Sequence, residues 1–131
     1  GTAVYESYFG KGRYDIKNGK PLTIQNTTSN DMVICLFSPH SFVRSFFIRN
    51  HYSAEVPQLP NEPLHIRFCS GKNFSPSLKH KLTQVEGVFM NDLCFYRKKE
   101  PALPSTVSLI NIEDLGTDFT KINEEEFFKL P

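Results

Sequence analysis

Met32-Val33-Ile34-Cys35-Leu36-Phe37 is an unbroken apolar run, one of five short runs that polar, glycine or proline clusters separate. The other four are apolar or alternate between apolar and polar residues, and they occupy residues 22–25, 42–49, 53–56 and 64–69. Runs of this length and spacing are typical of a small antiparallel β-sandwich. Because the run at residues 32–37 has no polar face, we expect it to form a central strand that is covered on both sides.

The rest of the chain extends this pattern. Prolines in segment 57–63 exclude a helix and a central strand there, and residues 74–82 fit either a short helix or a surface loop. Residues 114–117 predict a turn. Three more strands are predicted at residues 85–91, 93–97 and 106–112. The sequence therefore predicts an all-β protein, a single antiparallel β-sandwich of about seven to nine strands with a short C-terminal helix.

The two ends of the chain have different predicted roles. Residues 1–20 are rich in Tyr, Gly and Lys and predict an irregular lead-in segment, whereas residues 21–131 predict one sandwich domain. Asn123 stands three residues before Glu126, which is the spacing of a capping box at a helix start. We expect the helix, Glu124–Phe128, to press one of its two phenylalanines against the sandwich.

Alternation along the strands predicts which side chains form the hydrophobic core. On each strand, the apolar residues spaced by two positions should point to the same side. The residues expected to be buried together are Ile24, Ile34, Leu36, Phe47, Ile66, Phe68 and Leu109.

Composition and charge exclude several partner classes. The chain has 131 residues and a net charge of +1, so no strong electrostatic field would attract nucleic acid or an anionic bilayer. No apolar run approaches about 18 residues, so we expect no direct membrane insertion. The chain begins at Gly1 rather than at a methionine, which fits either an added remnant or a start downstream of a removed leader or anchor.

The three cysteines predict free thiols. Cys35, Cys69 and Cys94 are odd in number, have no CxxC spacing, and each lies within or beside an apolar stretch. We expect them to behave as small, buried or half-buried hydrophobic residues rather than as disulfides, nucleophiles or metal ligands.

No local motif predicts catalysis. A phosphate-binding loop, a nucleophile elbow and an HExxH pattern are all absent from the sequence. We therefore expect no catalytic residues, no bound metal and no cofactor. The alternative is an enzyme whose site assembles from distant residues, and its candidates are His65, Arg67 and Cys69 on one strand with a carboxylate such as Glu55.

Aromatic residues in the lead-in are the candidate ligand-binding residues. A cluster of rings among polar residues suits the recognition of a sugar or a peptide. The alternative is that these rings cap the open end of the sandwich. The residues are Tyr5, Tyr8, Phe9 and Tyr14.

The order of these signals resembles a family of uncharacterised bacterial β-sandwich domains. The resemblance rests on Leu22-Thr23-Ile24-Gln25-Asn26, on the Phe47-Ile48-Arg49 strand end, and on the closing Ile122-Asn123-Glu124-Glu125-Glu126-Phe127. The segment Pro60-Asn61-Glu62-Pro63-Leu64 departs from the family's Pro-x-Gly-x-Tyr turn, and Phe74 stands near an expected Trp. The resemblance implies a β-sandwich that is often carried downstream of a membrane anchor or linker, with no catalytic residues to transfer.

These observations together predict a non-catalytic binding or interaction module with an unidentified protein or glycan partner. The resemblance implies a bacterial protein associated with the cell envelope. Two alternatives stay open: a structural subunit of a larger assembly, and the enzyme assembled from distant residues.

Overall fold

A computed structural model describes residues 3–15, 17–113 and 118–131, and these contain eight strands and two short helices. The elements in chain order are α1 (Glu6–Phe9), β1 (Lys20–Asn26), β2 (Asp31–Phe37), β3 (Phe42–Ile48), β4 (Ser53–Leu59), β5 (His65–Lys79), β6 (Glu86–Lys98), β7 (Leu109–Ile112), β8 (Phe119–Ile122) and α2 (Glu124–Phe128). The predicted class, an all-β sandwich with a short C-terminal helix, is confirmed. None of the described helices is long and apolar enough to cross a membrane.

The strands form two sheets. A three-stranded sheet has the order β4-β1-β7, and a five-stranded sheet has the order β3-β2-β5-β6-β8. Neighbouring strands are antiparallel except for β1 and β7, which are parallel. The turn between β1 and β2 carries the chain from one sheet to the other, and a shared apolar cluster shows that the two sheets stack face to face.

The main hydrophobic core lies between the two sheets. Side chains from β1 and β4 meet those on one face of β2, β3 and β5. Ile24, Ile34 and Leu36 are completely buried there, and Ile66 is 1% exposed. These four assignments, together with the burial of Phe68 in the same cluster, confirm the predicted strand register.

The opposite face of the five-stranded sheet, which we call the second face, carries a separate apolar cluster. Val33, Cys35 and Phe37 of β2 point to this face and are buried. Phe127 and Phe128 of α2 cover it together with Tyr5 of the lead-in. The prediction that β2 is covered on both sides is therefore confirmed, and α2 contributes both of its phenylalanines rather than one.

β5 and β6 form a longer hairpin than the sequence predicted. β5 continues to Lys79 through the segment expected to be a helix or a loop, and β6 is a single strand where two were expected. The pairing register shifts between Ser70 and Lys72 and again between Ser75 and Lys79. Pro76 lies in the second irregularity, where no ladder pair needs its missing N–H. Pairing with β6 therefore holds as a strand a segment whose own sequence fits either a short helix or a surface loop.

The far half of this hairpin packs over the second face. The ring of Phe47 on β3 lies 5.6 Å from that of Phe74 on β5 and 6.2 Å from that of Phe89 on β6. Asn73 and Asp92 adopt positive φ angles close to the first register shift. A register shift beside residues with positive φ angles is typical of a β-bulge, which bends a strand pair.

Two of the residues predicted to lie in the main core do not lie there. Phe47 is only partly buried and packs on the second face with Phe74 and Phe89, since β3 also has apolar residues facing the main core. Leu109 is 53% exposed, because the alternation of β7 directs Ile110 and Ile112 inward instead. In both cases apolar residues occupy adjacent positions, so period-two spacing did not identify the inward face.

The remaining predictions concern strand edges and ends. β4 continues through Pro57, and it is an edge strand, as the prolines required. Asn123 caps α2, where its side-chain oxygen accepts a hydrogen bond of 2.8 Å from the Glu126 N–H. The short strand β8 was not predicted, and the predicted turn at residues 114–117 lies outside the described residues.

Candidate functional site

Tyr5, the first of the predicted ligand-binding residues, is a buried structural residue. Its side chain is 4% exposed and lies among Phe127 and Phe128 of α2. Its hydroxyl donates to the carbonyl oxygen of Gly87 over 2.8 Å and lies 3.6 Å from Cys69 Sγ. The prediction of Tyr5 as a surface ligand contact is corrected, because residues 4–9 pack over the second face.

His80, in the turn between β5 and β6, joins the same buried cluster. Its Nε2 lies 2.8 Å from the Gly87 carbonyl oxygen, and the Tyr5 hydroxyl lies 3.4 Å from the same nitrogen. Its Nδ1 lies 3.9 Å from Glu124 Oε1, at the first residue of α2. Glu124 also accepts hydrogen bonds from the backbone N–H groups of Leu82 and Thr83. This network ties together the lead-in, the hairpin turn and α2.

The electrostatics of this cluster favour neutral side chains. Burial raises the pKa of the Cys69 thiol to about 12, and it raises the pKa of Cys35 well above its ordinary value. Burial also raises the pKa of the Tyr5 hydroxyl. A thiol must be ionised to act as a nucleophile, so these two cysteines pack as small apolar residues.

The pKa of His80 predicts that stability falls in mild acid. Burial lowers this pKa, and the hydrogen bond to Gly87 and the charge of Glu124 offset only part of that effect. Between about pH 7 and pH 5 the unfolded chain takes up a proton at His80 that the folded chain resists. We expect the free energy of unfolding, measured by urea titration, to decrease across this window and to level off below the folded-state pKa.

His80→Gln provides the decisive comparison for this pH dependence. The variant has no titrating group at this position, so its free energy of unfolding should vary less between pH 7 and pH 5 than that of the parent protein. His40→Gln is the matched control, since His40 is exposed in a turn. An unchanged pH slope in His80→Gln would assign the effect to other groups.

The residues of the distant-residue enzyme hypothesis do not come together. Arg67 donates to the carbonyl oxygens of Phe127 and Lys129, over 2.8 and 2.6 Å, and its guanidinium lies 4.0 Å from the Phe37 ring centroid. Arg67 therefore holds the C-terminal end of α2. Its neighbour His65 lies 3.7 Å from Glu100 at the surface.

Of the other two members of that set, Cys69 shares a face of β5 with Arg67 but is closed off from solvent, and Glu55 belongs to β4 in the other sheet. Among the described residues, no group of three or more His, Cys, Asp or Glu side chains is arranged to hold a metal ion.

Tyr8 and Phe9 pack against the second face, whereas the alternative expected these rings to cap the open end of the sandwich. The Phe9 ring stacks on Phe42 with centroids 4.9 Å apart and an interplanar angle of 12°. Tyr8 is 43% exposed, but its hydroxyl donates to the Phe128 carbonyl oxygen over 3.2 Å. The two rings help to hold α1 on the second face.

Tyr14 has the most exposed ring of the four predicted site residues, and a neighbouring arginine supports one face of that ring. Its side chain is 45% exposed, and the guanidinium of Arg44 lies 3.9 Å from its ring centroid. Arg44 is 6% exposed and donates to three carbonyl oxygens, those of Arg13, Pro57 and Gln58, over 3.1, 2.8 and 3.0 Å. The cation that supports the ring is therefore held rigidly from both the lead-in and β4.

A polar groove of about 490 Å³ opens beside Tyr14. The guanidinium of Arg13 forms an ion pair with Glu62 across the groove lining. The carboxylate of Asp15 accepts a hydrogen bond from the Asn18 N–H over 2.9 Å, which organises the adjacent turn. Described lining residues are Arg13, Tyr14, Asp15, Lys17, Asn18, Pro60, Asn61 and Glu62.

Sequence reasoning identified Tyr14 but missed the residues around it. Arg44 lies on β3, about 30 positions away, and alternation gave no reason to associate it with Tyr14. The proline-rich segment 57–63 was recognised only as a strand breaker, although it supplies Asn61 and Glu62 to the groove. Comparison with known protein families, with curated proteins and with solved structures finds no match to this chain.

Proposed function

We propose that this protein is a non-catalytic binding module whose ligand is a glycan, bound in the groove beside Tyr14. The observation that carries the proposal is the exposed Tyr14 ring, which packs on the guanidinium of Arg44, a buried side chain that donates to three carbonyl oxygens. A ring that packs on a fixed guanidinium has less conformational entropy to lose when a ligand stacks on it. Rigid aromatic side chains are accordingly favoured as binding anchors.

The chemistry of the groove matches a sugar. A sugar ring presents an apolar C–H face, which suits an aromatic side chain, and an edge of hydroxyl groups, which require hydrogen-bond partners. Asp15 and Glu62 supply acceptors, Lys17 supplies donors, and Asn18 and Asn61 supply both. The lining therefore offers both donors and acceptors beside one aromatic ring, which suits a neutral, polyhydroxylated ligand.

An oligosaccharide array tests this proposal, followed by titration calorimetry with the oligosaccharide that is bound best. Tyr14→Ala should weaken that binding at least about tenfold, which is the size expected for losing a central aromatic anchor. Asn61→Ala, an exposed amide on the rim, should weaken it by a smaller factor. Circular dichroism confirms that each variant is folded.

Tyr52→Ala is the matched control for Tyr14→Ala. Tyr52 is 60% exposed and also lies near an arginine, with Arg49 5.6 Å from its ring centroid, but it lies outside the groove. The control should retain the parent affinity. Absence of binding to every oligosaccharide, equal losses in the two tyrosine variants, or binding only to a peptide library would overturn the glycan proposal.

A further inference from the structure

A small cavity opens at one end of the sandwich, away from the Tyr14 groove. Its volume is about 70 Å³, and it lies between the β1–β2 turn, β5, β6 and the start of β8. Polar and aromatic side chains line it together. The residues that matter for the argument are Asn30, Phe68, Ser70, Tyr96, Glu113 and Phe119.

Asn30 gives the first indication of a ligand. Its Oδ1 atom is buried and has no hydrogen-bond partner among the residues that the structure describes. The neighbouring hydroxyl of Thr28 does not satisfy it, because that hydroxyl donates to Asn26 Oδ1 over 2.7 Å. A buried acceptor without a donor is unfavourable, so a donor-bearing ligand in the cavity would be stabilised.

The remaining lining favours a cation. Glu113 is exposed at the cavity and contributes a carboxylate, while none of the described lining residues is Lys or Arg. The rings of Phe68 and Tyr96 stack 4.9 Å apart, and Phe119 meets Phe68 edge-on at 5.0 Å. Aromatic rings beside a carboxylate and an amide oxygen are a favourable setting for a nitrogenous cation.

The volume of the cavity and the number of oxygen ligands that line it restrict which cation can bind. A calcium ion takes six to eight oxygen ligands, more than Asn30, Glu113 and Ser70 supply. The volume of about 70 Å³ admits a small head group. A quaternary ammonium has no N–H to donate, so it would leave Asn30 Oδ1 unpaired. We propose that this cavity binds a small ammonium group that carries N–H donors, either the free ammonium ion or the head of a primary amine. This site is independent of the proposed glycan groove.

NMR titration tests the site with ammonium chloride, methylammonium chloride and n-butylammonium chloride, with sodium chloride holding the ionic strength constant. We expect saturable shifts confined to the residues around Asn30, Ser70 and Phe119 with ammonium and methylammonium. Saturation by n-butylammonium as well would assign the site to the head of a longer amine, and its exclusion would restrict the site to ammonium and methylammonium. Tetramethylammonium should cause no such shifts.

Variants separate a specific site from general ion binding. Asn30→Ala should weaken methylammonium binding at least tenfold, and Glu113→Gln several-fold. Glu125→Gln, on α2, removes a carboxylate elsewhere and should change nothing. The proposal is overturned if shifts fail to saturate, if sodium reproduces them, or if folded Asn30→Ala binds as the parent does. Tyr14→Ala should leave ammonium binding unchanged, so the two proposals fail separately.

Discussion

Phe128→Ala is expected to lower the free energy of unfolding by about 3–5 kcal/mol, the range for removing a buried phenylalanine ring. Phe128 is 1% exposed, and its ring centroid lies 5.1 Å from that of Tyr5 and 4.9 Å from that of His80. It also lies 4.8 Å from the Phe127 ring. The truncation would therefore weaken the lead-in, the hairpin turn and α2 at once. Urea unfolding at neutral pH measures the loss.

The alkylation rate of Cys69 shows whether Phe128→Ala loosens the second face. Cys69 lies beneath the Tyr5 hydroxyl, so loosening of the second face should increase its alkylation rate in the native protein. Leu130→Ala is the control, since Leu130 is close in sequence but 58% exposed. It should change stability by no more than about 0.5 kcal/mol. If Phe128→Ala were equally mild, the second face would not be the packed layer that its burial indicates.

Ile66→Ala is expected to cost about 2–5 kcal/mol, because it removes a buried branched side chain from the main core. Ile66 lies on β5 opposite Leu36 of β2 and is 1% exposed between the two sheets. Its neighbours on paired strands cannot close the space without disturbing the ladder. Chemical denaturation measures the change, and the slope of the transition should stay near that of the parent protein.

Leu109→Ala is the matched control for Ile66→Ala. Both changes truncate a large aliphatic residue on a strand, but Leu109 is 53% exposed on the edge strand β7. We expect its effect to be within about 0.5 kcal/mol. Equal losses in the two variants would contradict the observed orientation of β7, and a negligible loss for Ile66→Ala would contradict the position of β5 in the core.

The candidate site was only partly predictable. The sequence identified the aromatic residues of the lead-in as a group. The structure places them differently: Tyr5 is buried, Phe9 stacks on Phe42, and Tyr14 is at the surface. Composition treats these rings alike, since each is an aromatic residue in an irregular segment. What separates them is the surface each one meets, and that surface belongs to strands far away in the sequence.

Local patterns determined the class of fold. Alternation and turn residues predicted most of the strands, the all-apolar run predicted that β2 is covered on both sides, and Asn123 predicted the start of α2. These features depend on neighbours within a few positions, because strand periodicity and helix capping are local. Only the tertiary structure decided the rest. It placed Arg44 under Tyr14 and turned Leu109 outward, since those outcomes depend on which distant strands pair and which face a partner covers.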